Sequence, residues 1–242
     1  MNKTALLLVF ILHLCFSHPL QGQSLSITTL PETDPLVQLC ARIMSEVYQR
    51  LGLDLDLRYM PPKRALVDAN NGKSDGELFR IAGIESLYPN LVRVPVPIYT
   101  IEGVVFSKLH DFQVAGWESL RPYRIWGLRG VHFSEVGTRG FNREFNNRVE
   151  PLFKKLAAER LDVVVETKFS GAIILQQLGL QQVIKTLEPS LARFELYHYL
   201  HKDHQALLPM FEATLTEMQR DGSLAALILQ FEQALLESLL GD

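Results

Sequence analysis

Apolar positions along the chain alternate first with period two and then with the helical period. Residues 24–30, SLSITTL, alternate and predict a strand. In the following DPLVQLCARIMSEVYQRLG, residues Leu36, Val37, Cys40, Ile43, Met44, Val47 and Leu51 recur at helical spacing, and Gly52 stops the helix. LDLDLRY returns to period two, a strand with one wet face. PPKRALVDANNG reads as a short helix opened by Pro62 and closed by Gly72, and DGELFRIAG as a third strand. After a loop, VRVPVPIYT and EGVVFSK are strand-like. This β-α-β-α-β order predicts an α/β sheet with helical crossovers.

A second unit follows Lys108. YRIWGLRG is strand-like, and residues 131–160 are read as largely helical. LDVVVET is a short β-branched run of the kind found in buried parallel strands. FSGAIILQQLGL is a helix and QQVIKTL a strand. ARFELYHYLHKDH passes from strand to helix, and two helices complete the chain. In the last, Leu224, Leu227, Ile228, Phe231, Leu235 and Leu239 form a stripe that reads as packing rather than a partner site.

The N-terminus changes the picture. Residues 1–22 carry one early lysine, an apolar run from Ala5 to Phe16, and a small, polar end, the layout of a cleavable secretory signal. Cleavage after Ser17 or after Gly22 fits equally. The run is shorter than the roughly 20 apolar residues of a membrane span. The expectation is a periplasmic protein with one cysteine, Cys40, which fills the core and has no partner for an intramolecular disulfide.

Composition is that of a folded chain, 47% hydrophobic and 21% charged, with formal charge −3. No basic run points to nucleic acid. Hydrolase elbows, phosphate loops and paired Cys-x-x-Cys motifs are absent from the sequence. His198, His201 and His204 recur every third residue, but on a segment turning from strand to helix they make a poor zinc site. The residues themselves therefore carry no sign of an enzyme, and no cofactor or metal is expected.

Four pieces, in order, carry a resemblance. They are P-x-x-R-A-L before G-x-x-D-G-E, then Y-P-N-L-V-R-V-x-x-P-I, then R-L-D-V-V-V-E, and finally L-H-K-D-H-x-x-L-L-P with M-x-x-D-G-S. Together they resemble the type II periplasmic solute-binding proteins of ABC uptake systems, particularly the amino-acid-type family 3, of which this chain would be a divergent member. The resemblance implies a two-lobed α/β fold, each lobe a mainly parallel sheet flanked by helices, with a ligand cleft between. Residues 23–106 and 195–242 would form lobe 1 and residues 107–194 lobe 2. It implies a monomer that passes a small polar, carboxylate-bearing or amino-acid-like ligand to the membrane permease of an ABC transporter. Proteins of this kind also feed membrane sensors, and the fold hosts a periplasmic dehydratase for which Glu32 and Glu166 are the only plausible acid–base pair.

The sequence departs from the family where it matters. The arginine that clamps an α-carboxylate in that family falls near Tyr88 here. The aspartate that holds the α-ammonium falls at Thr167, with Glu166 one place earlier. The candidate ligand-binding residues are therefore Arg80, Arg64, Glu32, Glu166, Thr167 and His132. Arg80 interrupts an apolar strand, so it meets either a ligand anion in the cleft or an internal acid such as Glu77 or Glu85. Arg64 is read as a cleft contact or a surface ion pair, and Glu32 as a ligand contact or a helix cap. Glu166 ends a strand and can receive an ammonium. His132 follows Gly130, in the loop where the family has a Gly-Thr turn.

Overall fold

Two sets of three parallel strands, joined through a pair of long antiparallel ones, make the frame of the protein. The computed structural model describes residues 22–240. The sequence expectation of a signal at residues 1–22 lies, apart from Gly22, outside them. The first set is built from β1 (Ser24–Thr29), α1 (Pro35–Leu51), β2 (Asp54–Tyr59), α2 (Pro62–Asn70) and β3 (Gly76–Ile81). Strand β1 lies between β2 and β3, parallel to both. A short β4 (Leu91–Arg93) and a long β5 (Tyr99–Ser107) follow. The second set comprises β6 (Ile125–Leu128), α3 (His132–Gly137), β7 (Arg143–Asn146), α4 (Glu150–Ala157), β8 (Val163–Thr167) and α5 (Lys168–Gln177). Here β6 is central, parallel to β7 and β8. Strand β9 (Lys185–His201) then returns, and α6 (Leu208–Arg220) and α7 (Ser223–Leu240) close the described chain.

The sheet order is β2-β1-β3-β9-β5-β8-β6-β7. Strands β5 and β9 run antiparallel beside each other and carry the chain between the two sets. Helix α1 buries the stripe read from the sequence, with Leu39, Cys40, Ile43, Met44 and Val47 fully inaccessible. Its last turn is closed by Gly52 at φ 69, a left-handed conformation that suits glycine. A separate core forms in the second set around Val104, Phe106, Phe153, Leu156 and Val164. In α7, Leu224 is buried and Leu227, Ile228 and Phe231 pack against the first core.

Three sequence expectations are corrected. Residues 131–160 are not mainly helical: REFN forms the edge strand β7 between two short helices. Four residues with no buried member carry too little apolar alternation to be seen by pattern. The runs QQVIKTL and ARFELYHYLH are not two strands but one of 17 residues. Pairing with β5 on both sides of a register shift holds that strand continuous. VVVET, residues 163–167, is buried throughout, as expected of a parallel strand, yet it is parallel only to β6 and antiparallel to β5.

Candidate ligand site

All six parallel strands aim their carboxyl ends at one cavity of about 750 Å³. From the first set, β1 delivers Leu30, Pro31 and Asp34, β2 delivers Pro61, Pro62 and Lys63, and β3 delivers Phe79, Arg80 and Ile81. From the second, β6 delivers Leu128 to Phe133, β7 delivers Asn147 and Arg148, and β8 ends in Glu166 and Thr167. Ile101 of β5 and Leu196 of β9 also line it, where the two sets join. Open α/β sheets bind ligands at such strand ends, because backbone and helix termini there are not consumed by the sheet. A smaller cavity of about 440 Å³ opens between Tyr99, Lys168, Phe169 and Glu232. Its polar groups already pair, Tyr99 with Glu232 and Lys168 with Glu188, which makes it the lesser candidate.

Two helix starts meet in the larger cavity. Asp34 caps α1, its Oδ1 accepting the Leu36 amide at 2.9 Å. The same oxygen accepts the Ser170 hydroxyl, from α5, at 2.8 Å. Thr167 caps α5 by accepting the Ser170 amide at 3.3 Å, and Glu166 Oε1 accepts the Thr167 amide at 2.7 Å. Burial lifts the Glu166 carboxyl to about 8, and the Asp34 charge adds to the effect. Burial raises Asp34 as well, against the Ser170 and backbone hydrogen bonds that pull it down.

Arg80 of β3 lines the same cavity. Its Nη2 lies 2.6 Å from Glu77 Oε1 and donates to the Pro62 carbonyl at 3.2 Å, while its Nε has no acceptor. The Glu77 contact has ion-pair distance without hydrogen-bond alignment. Strand alternation would point residues 77 and 80 to opposite faces, but a bulge in the β3–β9 pairing falls between them. Glu77 is fully buried and takes the Thr28 hydroxyl on its other oxygen at 2.8 Å. Burial raises its carboxyl to about 7, with Arg80 and Thr28 opposing.

Of the six residues proposed from sequence, Arg80, Glu166, Thr167 and His132 line this cavity. Arg64 and Glu32 do not. The Arg64 side chain is 71% exposed and pairs with Asp68 one turn on, so it is a surface ion pair. Glu32 is exposed and offers only its backbone carbonyl, to Gln38; the cap of α1 is Asp34 instead. The Glu32–Glu166 acid–base pair is accordingly not assembled. Sequence reading missed Asp34, Lys63, Arg129 and Arg148. An aspartate directly after a strand and before a Pro-initiated helix was the available signal for the first.

The three histidines separate. His198 is fully buried on β9, with Nε2 3.0 Å from the Tyr48 hydroxyl and Nδ1 3.0 Å from the Leu78 carbonyl. Burial depresses it to about 4, so it is neutral. His201 faces Asp203 and His204 faces Asp75. Among the described residues no group of histidine, cysteine and carboxylate side chains could hold a metal ion.

Comparison with solved structures settles the architecture. A histidine kinase sensor domain with similarity to periplasmic binding proteins superimposes with TM-score 0.72 at 15% identity, covering 85% of this chain and 95% of that one. A mutant of ArgBP from T. maritima gives TM-score 0.72 at 15% identity, over 86% and 94%. The fold is the two-lobed one of type II periplasmic binding proteins. The BvgS VFT2 domain of Bordetella pertussis shares it, with TM-score 0.67, 14% identity and coverage of 88% and 94%. An uncharacterized protein of Shewanella oneidensis is 25% identical over 190 residues, 74% of this chain and 70% of its own length. No family model matches the sequence. The cavity is thus the cleft between two lobes of a fold whose solved relatives are mostly binders of small molecules. No described helix is long and apolar enough to cross a membrane.

Proposed function

We propose that the protein is a periplasmic solute-binding protein, exported by its N-terminal signal, that closes on a small polar, carboxylate-bearing or amino-acid-like ligand. Lobe 1 is taken as residues 23–106 with 195–242 and lobe 2 as residues 107–194, and the protein acts as a monomer that delivers ligand to an ABC permease. The observation that carries the reading is the convergence of six strand ends from both sets of parallel strands on one cavity. A ligand touching both walls favours the closed arrangement over the open one and shifts the population accordingly. Support also comes from ArgBP of T. maritima, solved in an arginine-bound form, which shares the fold. The test combines a thermal-shift screen with solution scattering. A true ligand at a hundredfold its Kd stabilises by about 2.7 kcal/mol and shrinks the molecule without being consumed. Chemical turnover of a hit would replace binding by catalysis.

A second reading, delivery to a membrane sensor, is favoured by two fold relatives that are themselves sensor-kinase or BvgS domains. Affinity capture from solubilised membranes separates the two: a permease recovered with the ligand-loaded protein supports uptake, and a kinase or cyclase supports sensing.

A further inference from the structure

The smaller cavity, of about 440 Å³, is distinct from the cleft but shares two walls with it. Helix α5 lines both: Phe169, Ala172 and Ile173 face the smaller cavity, while Ile174, Gln177 and the cap Thr167 face the cleft. On β5, Ile101 also lines both. The remaining wall is Glu232 of α7, a helix that packs on the first core through Leu227, Ile228 and Phe231. Elements of both strand sets therefore enclose it.

Most of the cavity surface is apolar. The rings of Tyr99 and Phe169 meet edge to face with centroids 6.3 Å apart, and Ile101 and Ile173 complete that part. Two of its charged groups are engaged. Lys168 lies 2.8 Å from Glu188 and 3.7 Å from Glu102, and Glu102 is held by Arg193 as well. Glu232 differs. Its Oε1 accepts the Tyr99 hydroxyl at 3.0 Å, and its Oε2 has no donor and no cation among the described residues. Burial and the Glu232 charge raise the Tyr99 hydroxyl above its ordinary value, so it remains the donor of that pair.

We propose that this cavity is a second small-molecule site, which takes an aromatic amine and, when occupied, holds the lobes in their closed arrangement. The site does not depend on what the cleft binds. An apolar cavity of about 150 Å³ already admits benzene, so this one has room for a two-ring guest. A flat ring packs edge to face against Tyr99 and Phe169, a geometry that aromatic pairs favour. Its ammonium reaches the free Glu232 oxygen in a charge-assisted hydrogen bond. A carboxylate at that place would face Glu232 and Glu102 and find Lys168 already engaged.

The link to closure follows from the shared walls. The lobes touch in this structure: Gly130 packs against Pro62, and Ser170 of α5 donates to Asp34, the cap of α1, at 2.8 Å. A guest that fits the cavity as it stands binds this arrangement better than one in which α5 has moved away from α7. Occupancy therefore shifts the population towards closure, and a cleft ligand that closes the lobes tightens the amine in return.

Calorimetry on the purified protein with tryptamine, indole and indole-3-acetate tests the chemistry. One tryptamine is expected per chain, about fivefold tighter than indole, with indole-3-acetate weaker than both. Glu232→Gln keeps an acceptor for Tyr99 and should bring tryptamine to the level of indole. Ala172 is exposed on α5, so Ala172→Trp adds a ring to the cavity without disturbing the core, and it should abolish tryptamine binding. Glu232→Gln carries the test alone if Ala172→Trp does not fold. Solution scattering reads the coupling: tryptamine should shrink the wild type, and Ala172→Trp should be compact without it. No tryptamine binding, or binding that neither substitution alters, overturns the site. Indole-3-acetate binding as tightly as tryptamine overturns the amine assignment. A radius that bound tryptamine leaves unchanged overturns the link to closure.

Discussion

At the scale of single residues, the cleft holds a buried carboxyl, Glu166, that no cation pairs with among the described residues. Glu166 has a folded pKa of about 8 against an ordinary value of 4.5. Its neutral form is favoured in the folded state, so the stability it contributes is complete below about pH 4.5 and is lost as pH rises through 8. Glu166→Gln should therefore unfold at the same temperature as wild type at pH 5. At pH 8.5 it should gain on the order of 2–4 kcal/mol. Melting curves across that range check it, and parallel curves for the two proteins would refute the assigned burial. Arg80 gives the opposite lesson. Sequence marked it as an anomaly in an apolar strand, and its lining of the cleft keeps a ligand role open to test. Its contact with Glu77 is one of the two alternatives the sequence offered, and it is the bulge that brings residues three apart to one face. Arg80→Met leaves Glu77 buried without its partner and should cost about 3–5 kcal/mol before any ligand is added. Adding Glu77→Leu should recover part of that loss in a double-mutant cycle. Additive losses would show that the two side chains do not support each other.

At the scale of elements, one buried chain ties three of them: Tyr48 of α1 donates to His198 of β9, which donates to the Leu78 carbonyl of β3. Tyr48→Phe leaves the imidazole nitrogen unsatisfied and should cost about 1–3 kcal/mol. Because His198 is depressed to about 4 from 6.5, its neutral form is the one the fold accepts. Stability tied to it is present above about pH 6.5 and is lost as pH falls through 4. His198→Phe, which packs without a proton to gain, should flatten that acid limb in urea titrations, and an unchanged limb would place acid sensitivity elsewhere. The helices and inner strands were legible because their apolar stripes are long and strictly periodic. Edge strand β7 was not, since REFN has no buried position to anchor a pattern. Nor was the continuity of β9, which depends on a partner strand far away in sequence. Asp34 was passed over for a related reason: capping and ligand contact use the same oxygen-bearing residues at the same strand-to-helix turn, and pattern alone cannot divide them.

At the scale of the whole molecule, the order of elements foretold an α/β sheet with helical crossovers, and the resemblance carried by the motifs implied two lobes around a cleft. The two sets of parallel strands are in fact joined in one sheet through β5 and β9. What the sequence could not show is where the walls touch. Gly130, after β6, has φ +83, and a Cβ built there would lie 2.8 Å from Pro62 Cβ, at the start of α2. Only glycine combines that backbone with that approach, so the lobes meet at this point across the cleft mouth. A cysteine pair, Pro62→Cys with Gly130→Cys, therefore spans the lobes. Disulfides want Cβ atoms about 3.8 Å apart, so the bond forms once the walls relax by about 1 Å and residue 130 takes up left-handed backbone strain, a cost the variant carries in both redox states. Cys40 is buried and does not compete. If closure here controls access, oxidising the ligand-loaded variant should trap the ligand, and dithiothreitol should free it. Oxidising the empty variant should slow ligand entry by at least tenfold while leaving the reduced protein fast. Stopped-flow exchange that runs at the same rate in both redox states would mean that ligand passes by another edge of the cleft.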